Sequence, residues 1–202
     1  MKKIVASALL AAPLLAMADG NIVRNGSFET NPLLSGQSYF MFDAIDGWNG
    51  SSQGIEVRID YAGVALDGRY FVELDANRNS SMYQLLDTKA GQSYSLSFSY
   101  ANRIHTDAST NGLEWSLDGN SWSTLAALPT NNTDSQDWKL FTASFVATGE
   151  TKLSFRAIGT DDGLGSSLDD IRVTAVPEPQ TYALLLAGLM ALGFVSRRQQ
   201  QG

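Results

Sequence analysis

Three groups of residues in this chain have the types and spacing to do chemistry. Gly50-Ser51-Ser52-Gln53-Gly54 has the G-x-S-x-G spacing of a hydrolase nucleophile elbow, with Ser52 as nucleophile. That motif works only on a strand-to-helix turn, and its base would have to be His105, the one histidine of the chain. Nothing in the spacing sets Asp107 behind that histidine, so no triad is expected. Asp75-Ala76-Asn77-Arg78-Asn79 matches the first three ligand positions of a helix-loop-helix calcium loop. Ser80 stands at its sixth position in place of glycine and Leu86 at its twelfth in place of glutamate, so an asparagine-rich hairpin loop explains it better.

The third group consists of aromatic and polar residues outside any alternating pattern. Trp48 follows Asp46-Gly47, with Tyr39, Phe40 and Phe42 just before it; Tyr61 lies in another loop, and Arg103 and His105 begin a third. Sugar sites combine a flat aromatic face with a few hydrogen-bonding groups, so Trp48, Tyr61, Arg103 and His105 are the candidate ligand contacts. Trp48 has a competing role as a plug at one end of a sandwich. Paired carboxylates for glycoside hydrolysis depend on a spatial separation that sequence does not fix.

The elements that carry these residues read as strands. In residues 93–100, Tyr94, Leu96, Phe98 and Tyr100 alternate with four serines, the pattern of a half-buried antiparallel strand. The rhythm recurs at Tyr70-Val72-Leu74, Phe141-Ala143-Phe145, Leu153-Phe155-Ala157 and Ile171-Val173, with Gly-containing turns between. Many short strands with regular turns predict an all-β sandwich or barrel. In one hairpin, a two-residue turn at Asp118-Gly119 would set Trp115 opposite Trp122 on one face, a cross-strand pair belonging to the core.

The two ends read differently. Lys2 and Lys3, an apolar stretch over residues 4–16, and Ala16-Met17-Ala18 form a secretory signal, with Ala16 and Ala18 flanking the cleavage motif and Asp19 as the mature start. At the other end, Val176-Pro177-Glu178-Pro179 precedes an apolar run and then Arg197-Arg198. Residues 179–196 as a helix would measure about 27 Å, barely enough to span a bilayer, with the arginines on the cytoplasmic side. Motif, apolar helix and basic cluster in this order resemble the PEP-CTERM sorting signal of Gram-negative bacteria. The resemblance implies transient inner-membrane anchoring, cutting by an exosortase after signal peptidase has acted, and association with exopolysaccharide.

This division gives a signal peptide at residues 1–18, one domain at 19–175 and a sorting tail at 176–202. Four of the fourteen basic residues and one of the twenty-one acids lie in the ends, leaving the domain at a net charge of −10. Such a domain lacks the basic footprint that nucleic acid or an anionic membrane requires. With no cysteine it must be held by its core, and a single histidine excludes histidine-rich zinc sites.

Six segments of the domain, in order, resemble the jelly-roll domains of the carbohydrate-binding-module and galactose-binding-like type. Residues 21–29 (Asn-Ile-Val-Arg-Asn-Gly-Ser-Phe-Glu) look like their first strand, followed by Gly47-Trp48 and by residues 68–75 as an inner strand. Residues 91–98 match their Gly-x-x-Tyr-x-Leu-x-Phe run, residues 138–145 the penultimate region and residues 168–173 the closing strand. The resemblance implies a jelly-roll β-sandwich and a structural calcium between first and last strands, with Glu29, Asp67 and Asp169 as its acidic ligands. The expected function is that of an exported, non-catalytic surface or matrix protein binding a glycan or exopolysaccharide. The alternatives are a calcium-stabilised structural biofilm protein that binds protein partners and, more remotely, a polysaccharide or ester hydrolase.

Overall fold

The computed structural model describes residues 20–30, 33–177 and 188. Ala16, Ala18, Glu178, Pro179, Arg197 and Arg198, and with them the expected apolar helix, lie outside the described residues. Among the described residues no helix is long and apolar enough to cross a membrane.

Among the described residues, short alternating runs broken by glycine turns give twelve strands: β1 (Tyr39–Phe42), β2 (Ala44–Ile45), β3 (Trp48–Gly50), β4 (Ile55–Arg58), β5 (Phe71–Glu73) and β6 (Ser81–Leu86), then β7 (Ser93–Ala101), β8 (Leu113–Ser116), β9 (Ser123–Thr124), β10 (Lys139–Val146), β11 (Thr151–Ala157) and β12 (Ser167–Ala175). They form two six-stranded sheets, ordered β1-β4-β5-β12-β7-β10 and β2-β3-β6-β11-β8-β9, with every pairing antiparallel. This is a jelly-roll β-sandwich, as the sequence predicts. Tyr94, Leu96, Phe98, Leu153, Phe155, Ile171 and Val173 meet in the core between the sheets.

Two local expectations are corrected. Residues 21–29 form a turn-rich segment, not a strand. Asn25 and Phe28 have φ of +54° and +63°, which a strand cannot accommodate. The segment docks on β12 instead: Asn21 Oδ1 accepts from Val173 N–H at 2.9 Å, Asn21 Nδ2 donates to Ile171 O, and Ile171 N–H donates to Gly26 O. A Cβ on Gly26 would meet Ile171 O at 2.1 Å, so the close approach needs glycine there.

The β8–β9 hairpin is out of the expected register by one residue, with Trp115 opposite Ser123 rather than Trp122. The cause is the Asp118 side chain, whose Oδ1 accepts from the N–H groups of both Asn120 and Ser121 at 2.7 Å. That side-chain turn lengthens the loop, and a one-residue slip sends Trp122 to the opposite face. There it lies under Arg156, whose Cζ is 4.2 Å from the ring centroid.

Candidate functional site

The centre of the first sheet is buried on both faces. On β5, Val72 points to the core, while Phe71 and Glu73 point outward and are nonetheless fully buried. Two segments cover that outer face. Trp138 packs edge-on against Phe71 with centroids 6.0 Å apart, and its Nε1 donates to Val64 O at 3.0 Å. Gln136 presses against Gly63 so closely that a Cβ there would lie 2.0 Å from it.

Beneath this cover is a network of four ionisable groups. Arg58, on β4, is 2% exposed, and its Nη2 donates to Glu73 Oε1 at 2.8 Å. Its Nε lies 2.7 Å from Glu56 Oε1, close enough for an ion pair but not aligned as a hydrogen bond. Arg103, just past β7, reaches the same Glu73 oxygen with Nη1 at 3.1 Å. Cross-strand register explains the gathering, since Glu56 lies opposite Glu73 and Arg58 opposite Phe71. Burial pushes the Glu73 carboxyl up to about 8, against the pull of both arginines, and raises Glu56 for the same reason. Among the described residues Glu73 Oε2, Arg58 Nη1 and the neighbouring Ser167 Oγ have no hydrogen-bond partner.

Tyr61 roofs the network. Its ring centroid is 5.6 Å from Arg58 Cζ and 5.9 Å from Arg103 Cζ, and it stacks on Tyr39 at 5.1 Å. Tyr39 and Tyr61 are 48% and 42% exposed, so the pair offers ring surface to solvent directly above buried charge. The turn that aims Tyr61 is strained: Asp60, Ala62 and Gly63 have φ of +46°, +55° and +139°. Left-handed non-glycine residues cost on the order of 1–3 kcal/mol each and cluster at ligand sites.

Two of the four expected ligand contacts, Tyr61 and Arg103, therefore come together. Trp48 does not join them, and its assignment is corrected. It is 1% exposed, packs between Phe28 and Phe155, and donates Nε1–H to Asn25 O at 3.2 Å. His105 is elsewhere too: Nε2 pairs with Asp134 Oδ1 at 2.7 Å on the surface. Among the described residues no hydrogen bond or ring contact joins His105 to Tyr61, Arg103 or Ser52. Ser52 follows β3 in a turn, and no helix follows it. Sequence reasoning missed Glu56, Arg58 and Glu73, which sit inside runs that read as ordinary strand.

The three acids expected to hold calcium meet around one loop, but through amide donors. Glu29 Oε1 accepts from the N–H groups of Arg69 and Tyr70, both at 2.7 Å. Asp169 Oδ2 accepts from Leu66 and Asp67 N–H at 2.8 and 2.9 Å, and Oδ1 from Asp170 N–H at 2.7 Å. Asp67 Oδ2 lies 3.6 Å from Arg172 Nη2. A calcium shell needs six to eight oxygens turned to one point, whereas here N–H groups point at the carboxylates. Among the described residues no group of three or more His, Asp or Glu side chains is placed to hold a metal ion. This arrangement does not fit calcium, and the amide clamps do the cross-linking that an ion would do. The expected result with a chelator is a thermal midpoint unchanged within about 2 °C. Calcium bound at a hundredfold excess over Kd would add about 2.7 kcal/mol, a shift of roughly 5–10 °C in a domain of this size. Differential scanning calorimetry with and without chelator separates the two.

The architecture is a jelly-roll β-sandwich whose exposed tyrosines stack over buried charge. Residues 21–174 match the family described as "Protein of unknown function (DUF642)", and the chain belongs to that family. Residues 175–199 match the PEP-CTERM protein-sorting motif, a signal for export. The chain is 26% identical over 172 residues to the multifunctional-autoprocessing repeats-in-toxin of Vibrio cholerae serotype O1; the match covers 81% of this chain and 3% of that protein's length. Among solved structures, TmCBM61, determined in complex with β-1,4-galactotriose, is 20% identical with a TM-score of 0.50, covering 77% of this chain and 99% of that one. A structure described as Family 16 Carbohydrate Binding Module-2 is 16% identical with a TM-score of 0.46, covering 76% and 99%. The likeness to TmCBM61 shows the fold.

Proposed function

We propose that this is an exported, non-catalytic glycan-binding protein of the cell surface or extracellular matrix of a Gram-negative bacterium. Signal peptidase would release it at Asp19 and an exosortase would process its tail, leaving it among the exopolysaccharide that is its ligand. The observation that supports glycan binding is the exposed Tyr39–Tyr61 pair stacked over Arg58 and Arg103. The rings offer an apolar face to the C–H side of a sugar, and the guanidiniums packed beneath Tyr61 hold its ring in that position.

The test is affinity for the producing bacterium's own exopolysaccharide, with β-1,4-galactotriose as a defined probe. Loss of a central aromatic contact costs more than about 1.4 kcal/mol, so Tyr61→Ala is expected to weaken binding about tenfold or more. Tyr61 is 42% exposed, and the variant's melting curve should stay close to the wild type's. Wild-type protein that retains no polysaccharide, or a Tyr61→Ala variant that binds as well as wild type, would overturn the reading.

A further inference from the structure

At the opposite edge of the sandwich the two sheets do not close on each other. Phe141, Ala143 and Phe145 of β10 face inward in register with the core residues of β7, yet all three stay half-exposed. Trp115 of β8, also half-exposed, meets Phe141 with centroids 5.2 Å apart, and Phe145 stacks on Tyr94 at 5.5 Å. The opening is a groove of about 460 Å³ with Trp115 and Phe145 among its lining. Ligand sites run from about 300 to 1,000 Å³. Ser121, Ser123, Thr148, Glu150 and Lys152 supply much of its polar border.

The charges on that border are largely engaged within the protein. Asp118 is held by Ser116 Oγ, Asn120 N–H and Ser121 N–H, and Lys152 Nζ sits 4.3 Å from the Tyr83 ring centroid. Two carboxylates against one ammonium disfavour a polyanion. Ring surface edged by hydroxyls suits a neutral sugar, whose C–H face is apolar and whose rim is polar.

We propose that this groove is a second saccharide site, for a neutral glycan chain, so that one domain can hold two chains at once. The inference rests on the glycan reading of the Tyr39–Tyr61 face. Tyr39 lies on β1 and Phe145 on β10, the two edge strands of one six-stranded sheet. Five strand spacings separate them, about 24 Å. A short oligosaccharide cannot reach both sites, and a long polymer engaged at both becomes cross-linked.

The test uses the mature protein with oligosaccharides cut from the producer's exopolysaccharide for calorimetry, and the uncut polymer for turbidity. Ser123 lies opposite Trp115 and is exposed, so Ser123→Arg fills the groove without touching the core. Ser121→Arg provides an independent block. Wild type is expected to bind two oligosaccharides per chain and to cross-link polymer. Either block is expected to leave one site of unchanged affinity and to abolish the turbidity. Tyr61→Ala is expected to leave one site as well, that of the groove. A wild type with a single site that Tyr61→Ala removes and Ser123→Arg spares overturns the groove and leaves the first reading standing. Failure of every protein to bind overturns both.

Discussion

Replacing Arg58 with methionine is expected to lower the unfolding free energy by about 3–5 kcal/mol, the usual cost of breaking a buried ion pair from one side. The guanidinium is almost fully buried between Glu56 and Glu73, and its removal strips both buried carboxyl groups of their donor, leaving Arg103 as the cation beside a Glu73 that holds its proton below about pH 8. A triple variant that makes Glu56, Arg58 and Glu73 all apolar at similar volume should behave differently. Buried ion networks replaced whole are commonly neutral or more stable by about 1–4 kcal/mol, because the desolvation cost goes with the charges. Urea melts of the single and triple variants, read beside polysaccharide affinity, separate fold from function. The single variant should lose both stability and binding at the Tyr39–Tyr61 face, and the triple should regain stability while still failing to bind there. A single variant within about 0.5 kcal/mol of wild type, the range of an ordinary surface substitution, would mean the network is not under strain.

That network also marks where sequence reasoning stops. Alternation in residues 68–75 assigns Tyr70, Val72 and Leu74 to the core, and they are there. The same alternation assigns Phe71 and Glu73 to solvent, and they are fully buried. Period-2 patterning reports which side of the sheet a residue is on, not whether a distant loop lies over that side. The cover comes from the Tyr61–Val64 turn and from Trp138, far apart in the chain and joined by contacts that no local pattern encodes. Tyr61 and Arg103 were legible because they are aromatic and basic residues outside the core rhythm. Trp48 carried the same signal and proved to be core, because a tryptophan beside a glycine turn either plugs the sandwich or faces a ligand. The slipped hairpin is a smaller case of the same limit, since Asp118-Gly119 names a turn while the Asp118 carboxylate decides its length. The acids at 29, 67 and 169 read as calcium ligands between the first and last strands, and in the fold they gather around the loop of residues 66–70. What the sequence could not show is that amide N–H groups would be the ones facing them.

Two of these buried carboxyls should make the protein less stable as the medium turns from mildly acidic to alkaline. Burial raises Glu73 to about 8 from 4.5 and Asp169 to about 7 from 3.8. Asp169 accepts three backbone N–H groups, and these offset only part of its desolvation. A carboxyl whose folded pKa is raised holds a proton that the unfolded chain gives up. Its stabilisation is complete below the unfolded value and is lost as pH climbs through the folded one. Each such group contributes a slope of about 1.4 kcal/mol per pH unit inside its window. Glu114, lowered by its bonds to Thr124 and Arg156, acts in the opposite sense, but only as pH falls toward and below 4.5. Glu56 and Asp75, also raised by burial, act in the same sense as Glu73 and Asp169, so unfolding free energy from urea melts should fall steadily between pH 5 and 7. Glu73→Gln should flatten the profile up to about pH 8 and Asp169→Asn up to about pH 7, each removing one proton from the balance. A wild-type stability that rises from pH 5 to 7 would show both carboxylates ionised in the fold. It would also mean that Arg58 and Arg103 face a full negative charge beneath Tyr61, leaving less positive field for any sugar hydroxyl to meet.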